Sequence, residues 1–265
     1  MRAVWLTDIH LDAASPPAVE RLLRSVSRAR PDIVLVGGDI AEADTVEDFL
    51  LRLRDCAGVP VCFVLGNHDF YNGSISGVRA AVRAFCEREK NLHWLSESGV
   101  YRMTEKTALI GHEGWGDGRL GNYEESPVEL NDFYLIDELR VGDPWELLAV
   151  LERLGDEAAR HVRAVLPGAL AAFEKVVFLT HVPPFREAAW YEGELSNDDY
   201  LPFFVSKAVG DILVECMSSH PHRELTVLCG HTHGEGRARV LPNLEVMTGG
   251  ARYGRPAIQM VLEIE

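Results

Sequence analysis

Five short polar clusters in this sequence carry residue types that can hold metal ions. They are Asp8-Ile9-His10, Gly38-Asp39, Gly66-Asn67-His68-Asp69, Thr180-His181 and Gly230-His231-Thr232-His233. Each offers oxygen or imidazole nitrogen, and none offers a thiolate. Carboxylate, amide oxygen and imidazole suit Mn, Fe, Zn or Ni and not soft Cu(I). A carboxylate has two oxygens, so one Asp can bridge a pair of ions. Two ions roughly 3.5–4 Å apart can activate a water and clamp a phosphoryl group for in-line attack. Glycines stand before Asp39, Asn67 and His231, where they permit tight turns and close backbone approach. Taken singly the clusters say little: Asp-x-His caps turns, His-x-His occurs in zinc pairs, and a lone histidine is usually structural. Their meaning depends on what positions them.

The elements that must do so are legible from periodicity. Ala3 to Thr7, Asp32 to Val36 and Val61 to Leu65 are short apolar runs expected to be buried strands. Between and after them, Pro17 to Ala29, Thr45 to Cys56 and Gly77 to Arg88 are expected helices. In the first helix Val19, Leu22, Leu23 and Val26 fall on one face and Arg21, Arg24 and Arg28 on the other. This alternation implies parallel strands with right-handed crossovers. Val100 to Met103 and Thr107 to Ile110 look like a hairpin. Gly111 to Asp137 has no period, and such a stretch in a compact domain is usually functional or mobile. Residues 144 to 173 return to a helical pattern, with a break expected at Pro167-Gly168. Val176 to Thr180 and Leu225 to Cys229 are strands flanking an expected helix from Leu201 to Ser218. Short strands follow near Arg237 to Leu241, Leu244 to Thr248 and Ile258 to Ile264. With no linker or repeat in view, one domain over 1–265 is expected.

On this map every polar cluster follows directly on a strand. Open α/β sheets form their sites in the crevice outside the carboxyl ends of the strands. Five segments distant in sequence should therefore converge on one metal centre.

Composition narrows the function. A chain of 265 residues, 47% hydrophobic, can bury a sizeable core. Its net charge of −15 disfavours nucleic acid and anionic membranes as partners. The five cysteines, odd in number and without a Cys-x-x-Cys pair, suit reduced core thiols. No run approaches the ~20 apolar residues of a membrane span, and no signal peptide is visible. A cytoplasmic protein with a small-molecule partner is expected.

In order and broad spacing the five clusters resemble the calcineurin-like metallophosphoesterases, across nearly the whole chain. The region from about 111 to 175 is the least similar. The resemblance implies a four-layer α/β/β/α sandwich of two mixed sheets, with a dinuclear metal site at the strands' carboxyl ends. It implies that Asp8, His10 and His233 hold one metal and that Asn67, His181 and His231 hold the other. Asp39 then bridges them, and a metal-bridging hydroxide is the nucleophile attacking a phosphomonoester or phosphodiester. His68 resembles the family's non-ligand histidine, which assists the leaving group or binds a phosphoryl oxygen. Several members have an Asp three residues after the bridging Asp, oriented on that histidine. Glu42 stands there, as a catalytic aid to His68 or as a surface Glu at a helix start.

Substrate contacts are sought in the adjoining loops, at Asn67 and His68 themselves and at His112, Trp115 and Arg186. Phe70, Tyr71, Asn72, Phe185, Arg252 and Tyr253 also neighbour the clusters. Aromatic side chains can stack or fill a pocket, and Arg can hold a second phosphate. Two other readings compete. An amidohydrolase also combines His and Asp, but starts with His-x-His and ends with Asp, the reverse of the order here. A non-catalytic metal-binding scaffold or interaction module of the same fold is the other; the presence of every ligand and of His68 argues against it.

Overall fold

A computed structural model describes all 265 residues. The strands are β1 (Arg2–Leu6), β2 (Ile33–Gly37), β3 (Val61–Val64), β4 (Leu92–Trp94), β5 (Tyr101–Arg102), β6 (Thr107–His112) and β7 (Lys175–Thr180). They continue with β8 (Trp190–Tyr191), β9 (Glu194–Leu195), β10 (Glu224–Cys229), β11 (Gly236–Leu241), β12 (Leu244–Thr248) and β13 (Met260–Glu263). The helices are α1 (Pro16–Ala29), α2 (Val46–Ala57), α3 (Ile75–Arg88), α4 (Leu95–Ser98), α5 (Asp132–Leu135), α6 (Pro144–Ala172), α7 (Leu201–Phe204) and α8 (Lys207–Ser218).

Two mixed sheets result, in the orders β13-β1-β2-β3-β4 and β11-β12-β10-β7-β6-β5; β8 and β9 form a separate hairpin. The inner strands of both sheets run parallel, and antiparallel partners sit at the edges. Side-chain alternation explains the layering. Ala3, Trp5, Ile33, Leu35, Cys62 and Val64 pack on Val177, Leu179, Leu228 and Met247 of the other sheet. The alternate residues Val4, Leu6, Val34, Val36 and Phe63 pack under Val19, Leu22, Val26, Leu50 and Val82 of α1, α2 and α3. On the far side Ile110, Val176, Phe178 and Val227 pack under Val162 and Leu166 of α6 and Leu213 of α8. Strands covered on both faces read as continuous apolar runs. This is the four-layer α/β/β/α sandwich expected. No helix is long and apolar enough to cross a membrane.

Two helix expectations fail. Instead of breaking at Pro167-Gly168, α6 runs through both for 29 residues. Both residues face solvent, while Leu166, Ala169 and Leu170 are fully buried. Burial of that last turn outweighs one backbone hydrogen bond lost on the wet side. The single helix expected from Leu201 to Ser218 is two, α7 and α8, parted at Val205 and Ser206. There the backbone of Val205 accepts from Asp117 N at 3.2 Å, and Asp117 Oδ2 accepts from Ala208 N at 2.7 Å in the first turn of α8. A carboxylate 91 residues away thus supplies a helix cap. The helix expected from Gly77 starts at Ile75, with Ser74 Oγ accepting from Gly77 N at 3.0 Å.

Candidate metal centre

The parallel strands bring all seven candidate ligands to one edge of the sandwich. Asp8 and His10 follow β1, Asp39 follows β2, Asn67 follows β3, His181 follows β7, and His231 and His233 follow β10. Turning a side chain back across the strand ends needs unusual backbone. Asp8, His10, Asp39, His231 and His233 all adopt positive φ, between 38° and 70°. Left-handed backbone is costly for residues with a Cβ and persists where surrounding structure enforces it. Glycine is required where chains touch: a Cβ on Gly66 would lie 2.2 Å from Asp39 Oδ1, and one on Gly230 would lie 1.9 Å from Asp8 Oδ2.

The ligand atoms fall into two groups that share Asp39. In the first, Asp8, His10, Asp39 and His233 place one ligand atom each within 4.8 Å of one another. His10 Nε2 is 3.2 Å from His233 Nε2 and 3.6 Å from Asp39 Oδ2, and His233 Nε2 is 3.5 Å from Asp8 Oδ1. In the second, His181 Nε2 is 3.3 Å from Asp39 Oδ1 and 3.0 Å from Asn67 Oδ1. His231 Nδ1 is also 3.0 Å from Asn67 Oδ1. The two Asp39 oxygens face different groups, which is the geometry of a bridging carboxylate.

Protons decide whether this set fits a cation. His181 Nδ1 donates to Gly37 O at 2.8 Å, which leaves Nε2 as a lone pair. His231 Nε2 donates to Phe203 O at 3.0 Å, which leaves Nδ1 as a lone pair. Asn67 Nδ2 donates to Asp132 Oδ1 at 2.8 Å, so its oxygen is the atom facing both histidines. Three acceptors thus converge with no proton between them, an arrangement that suits a cation. Burial and the neighbouring Asp8 and Asp69 carboxylates push the Asp39 carboxyl well above the usual range. Burial also lowers the imidazoles, His10 to about 2, His181 to about 3 and His231 to about 4. Neutral imidazoles and a carboxylate in want of positive charge are what a metal takes as ligands. The residues present fit two metal ions.

Around this centre, His68 stacks on Tyr71 at 4.2 Å between ring centroids, and its Nε2 lies 3.9 Å from Asp39 Oδ2. Asp69 braces the loops, accepting from Ile40 N, Ala41 N and Gly66 N at 2.9, 2.9 and 2.7 Å. Tyr253 lies over the centre, its ring 4.6 Å from that of His10 and its hydroxyl 3.3 Å from His68 Nε2. Glu42 does not bond His68; it accepts from Asn72 Nδ2 at 2.8 Å. The carboxylate behind this side of the site is Asp132, at the start of α5, which also accepts from Tyr71 OH at 2.6 Å. Sequence reasoning missed Asp132, because it lies in the aperiodic segment with no motif around it.

Three proposed substrate contacts lie outside the cleft. His112 is buried and packs on His161 at 5.1 Å, with Nδ1 accepting from Gly114 N at 3.2 Å. Trp115 is core, 5.7 Å from the Phe70 ring. Arg186 is exposed and paired with Asp198 at 2.6 Å. The five cysteines are unpaired.

The profile of the calcineurin-like phosphoesterases matches residues 1–235. The chain belongs to the calcineurin-like phosphoesterase family. That membership makes it a metal-dependent phosphoester hydrolase, and the Asp and His cluster is its candidate metal site. Among solved structures of similar fold is phosphopantetheinyl hydrolase from Mycobacterium tuberculosis, with a TM-score of 0.65 and 14% identity, over 96% of this chain and 90% of that one. Another is a dimetal phosphatase from Danio rerio, with a TM-score of 0.59 and 15% identity, over 94% and 87%. Among curated proteins, UDP-2,3-diacylglucosamine hydrolase of Stenotrophomonas maltophilia (strain K279a) is 34% identical over 96 residues. That match spans 31% of this chain and only 38% of the relative.

Proposed function

We propose that this phosphoesterase hydrolyses a small phosphomonoester or phosphodiester in a cleft floored by two metal ions. The observation that carries the reading is the pair of ligand groups meeting at Asp39, with unprotonated His181, His231 and Asn67 atoms turned on one point. Asp8, His10, Asp39 and His233 would hold one ion, and Asp39, Asn67, His181 and His231 the other. The ligand types suit Mn, Fe, Zn or Ni. When bound, the ions supply charge to the phosphoryl oxygens and acidify a water to serve as nucleophile.

The chain's own residues do the rest. His68 stands beside the centre on a loop pinned by its N–H to Asp39 Oδ1 at 2.9 Å. Burial lowers its pKa to about 4, an effect partly offset by Asp132, so near neutral pH the imidazole carries no charge. Its ring N–H donates to the leaving oxygen as negative charge develops there. Stacking on Tyr71 fixes the ring plane. The cleft holds about 280 Å³, enough for a phosphoryl group and a small organic part. Unpaired cysteines support a reducing, cytoplasmic setting.

The test is hydrolysis of p-nitrophenyl phosphate and bis-p-nitrophenyl phosphate by protein loaded with Mn²⁺. Release of p-nitrophenol from either is expected. Protein that binds metal yet cleaves neither ester with any of Mn, Fe, Zn or Ni would favour the scaffold reading instead.

A further inference from the structure

The walls of the metal cleft are made of neutral and acidic side chains. Beyond the ligands and His68 they consist of Tyr71, Tyr191, Phe204 and Tyr253, with Glu129, Leu130, Asn131, Asp132 and Thr232. No Lys or Arg lines it. The cations nearby in sequence are turned elsewhere: Arg186 is held by Asp198, and Arg252, next to Tyr253, is exposed and outside the lining. Two divalent ions carry more positive charge than Asp8 and Asp39 offset, which suits one phosphoryl group. A second phosphate has no counter-charge: it would meet Glu129 and aromatic faces, whose quadrupoles repel anions. Sites that hold diphosphates ordinarily supply Arg, Lys or a cradle of backbone N–H groups.

Neutral groups instead await the rest of the substrate. The Tyr253 hydroxyl is placed beside His68. Tyr191 and Phe204 meet edge to face at 5.5 Å, and both line the cleft with Tyr71 and Tyr253.

We propose that this cleft selects phosphoesters with a single phosphoryl group and an uncharged, aromatic or apolar remainder, and discriminates against nucleoside diphosphates and their conjugates. This rests on the hydrolase reading for where the phosphoryl group sits. It sets the chain apart from the curated relatives, whose name specifies a UDP compound.

The experiment is calorimetric binding of AMP and ADP to the full chain loaded with two Mn²⁺ per chain and freed of excess metal, for the native protein and Glu129→Lys. Glu129 is exposed, so the substitution leaves the core alone. ADP should bind the native protein no more tightly than AMP. Reversing the charge at 129 should move the ADP-to-AMP affinity ratio about tenfold toward ADP. Native protein binding ADP tenfold tighter than AMP, or a ratio unmoved by Glu129→Lys, would overturn the proposal. Turnover of p-nitrophenyl phosphate is scored separately. Its absence alongside the expected binding ratios would count against the hydrolase reading while supporting this selectivity.

Discussion

Asn67 can present either its oxygen or its NH₂ group to the metal side, because the two are nearly equal in size. Asp132 decides between them. Ionised, it accepts only, and it accepts hydrogen bonds from both Asn67 Nδ2 and Tyr71 OH. Asp132→Asn offers a donor of its own and permits the flipped amide. We expect it to weaken the site of Asn67, His181 and His231 by about 10- to 100-fold, so that metal analysis falls from two ions per chain toward one. Asp39→Asn should cost both metals and abolish turnover, since its two carboxylate oxygens face the two groups. His68→Ala should slow turnover by about 10²- to 10⁴-fold with metal content unchanged. Loss of metal from that variant would make His68 a structural residue. The ligands themselves were legible because each cluster sits where a strand ends, and three of the five carry a glycine just before a ligand. Asp132 was not, because one carboxylate among 41 acidic residues has no local signature. Its partners lie 61 and 65 positions away.

At the scale of elements, the strands were readable because both faces of each inner strand are covered, so the apolar runs are unbroken. The continuity of α6 through Pro167 and the start of α8 were not, because distant contacts set them. Pro167 keeps its place in α6 only because the neighbouring turn buries Leu166, Ala169 and Leu170. Pro167→Ala restores a backbone hydrogen bond on the exposed side without touching that burial. It should raise stability by about 1–3 kcal/mol, read as a higher urea midpoint at unchanged slope. A fall in the midpoint would mean that Pro167 makes a contact the helix needs. Likewise the break before α8 depends on Asp117, whose carboxylate sits within a stretch with no period of its own.

For the whole molecule, acid should act on buried histidine. Burial lowers the His112 pKa to about 4, against an ordinary value near 6.5. Below pH ~6.5 the unfolded chain takes up a proton that the native fold refuses until about pH 4. Stability from this group is therefore complete above pH ~6.5 and lost as pH falls toward 4, on the order of 3 kcal/mol. His112→Gln should flatten that part of the stability curve measured by denaturant titration. Chelation should act on the same whole. The first sheet's side supplies Asp8, His10, Asp39 and Asn67, and the second's supplies His181, His231 and His233. Ions held between them bind the native state alone, so EDTA should lower the melting temperature in proportion to metal removed.

That division of ligands has a consequence for biosynthesis. His10 and His233 are 223 positions apart. At the ribosome's ~5–20 residues per second, roughly 10–45 s pass between them. Strands β1 to β3 emerge while their four ligands still lack their partners from the second sheet, and β13, which completes the first sheet, emerges last of all. A complete metal site therefore waits for residue 233, and a stalled chain released before residue 231 is a carboxylate-bearing fragment without one.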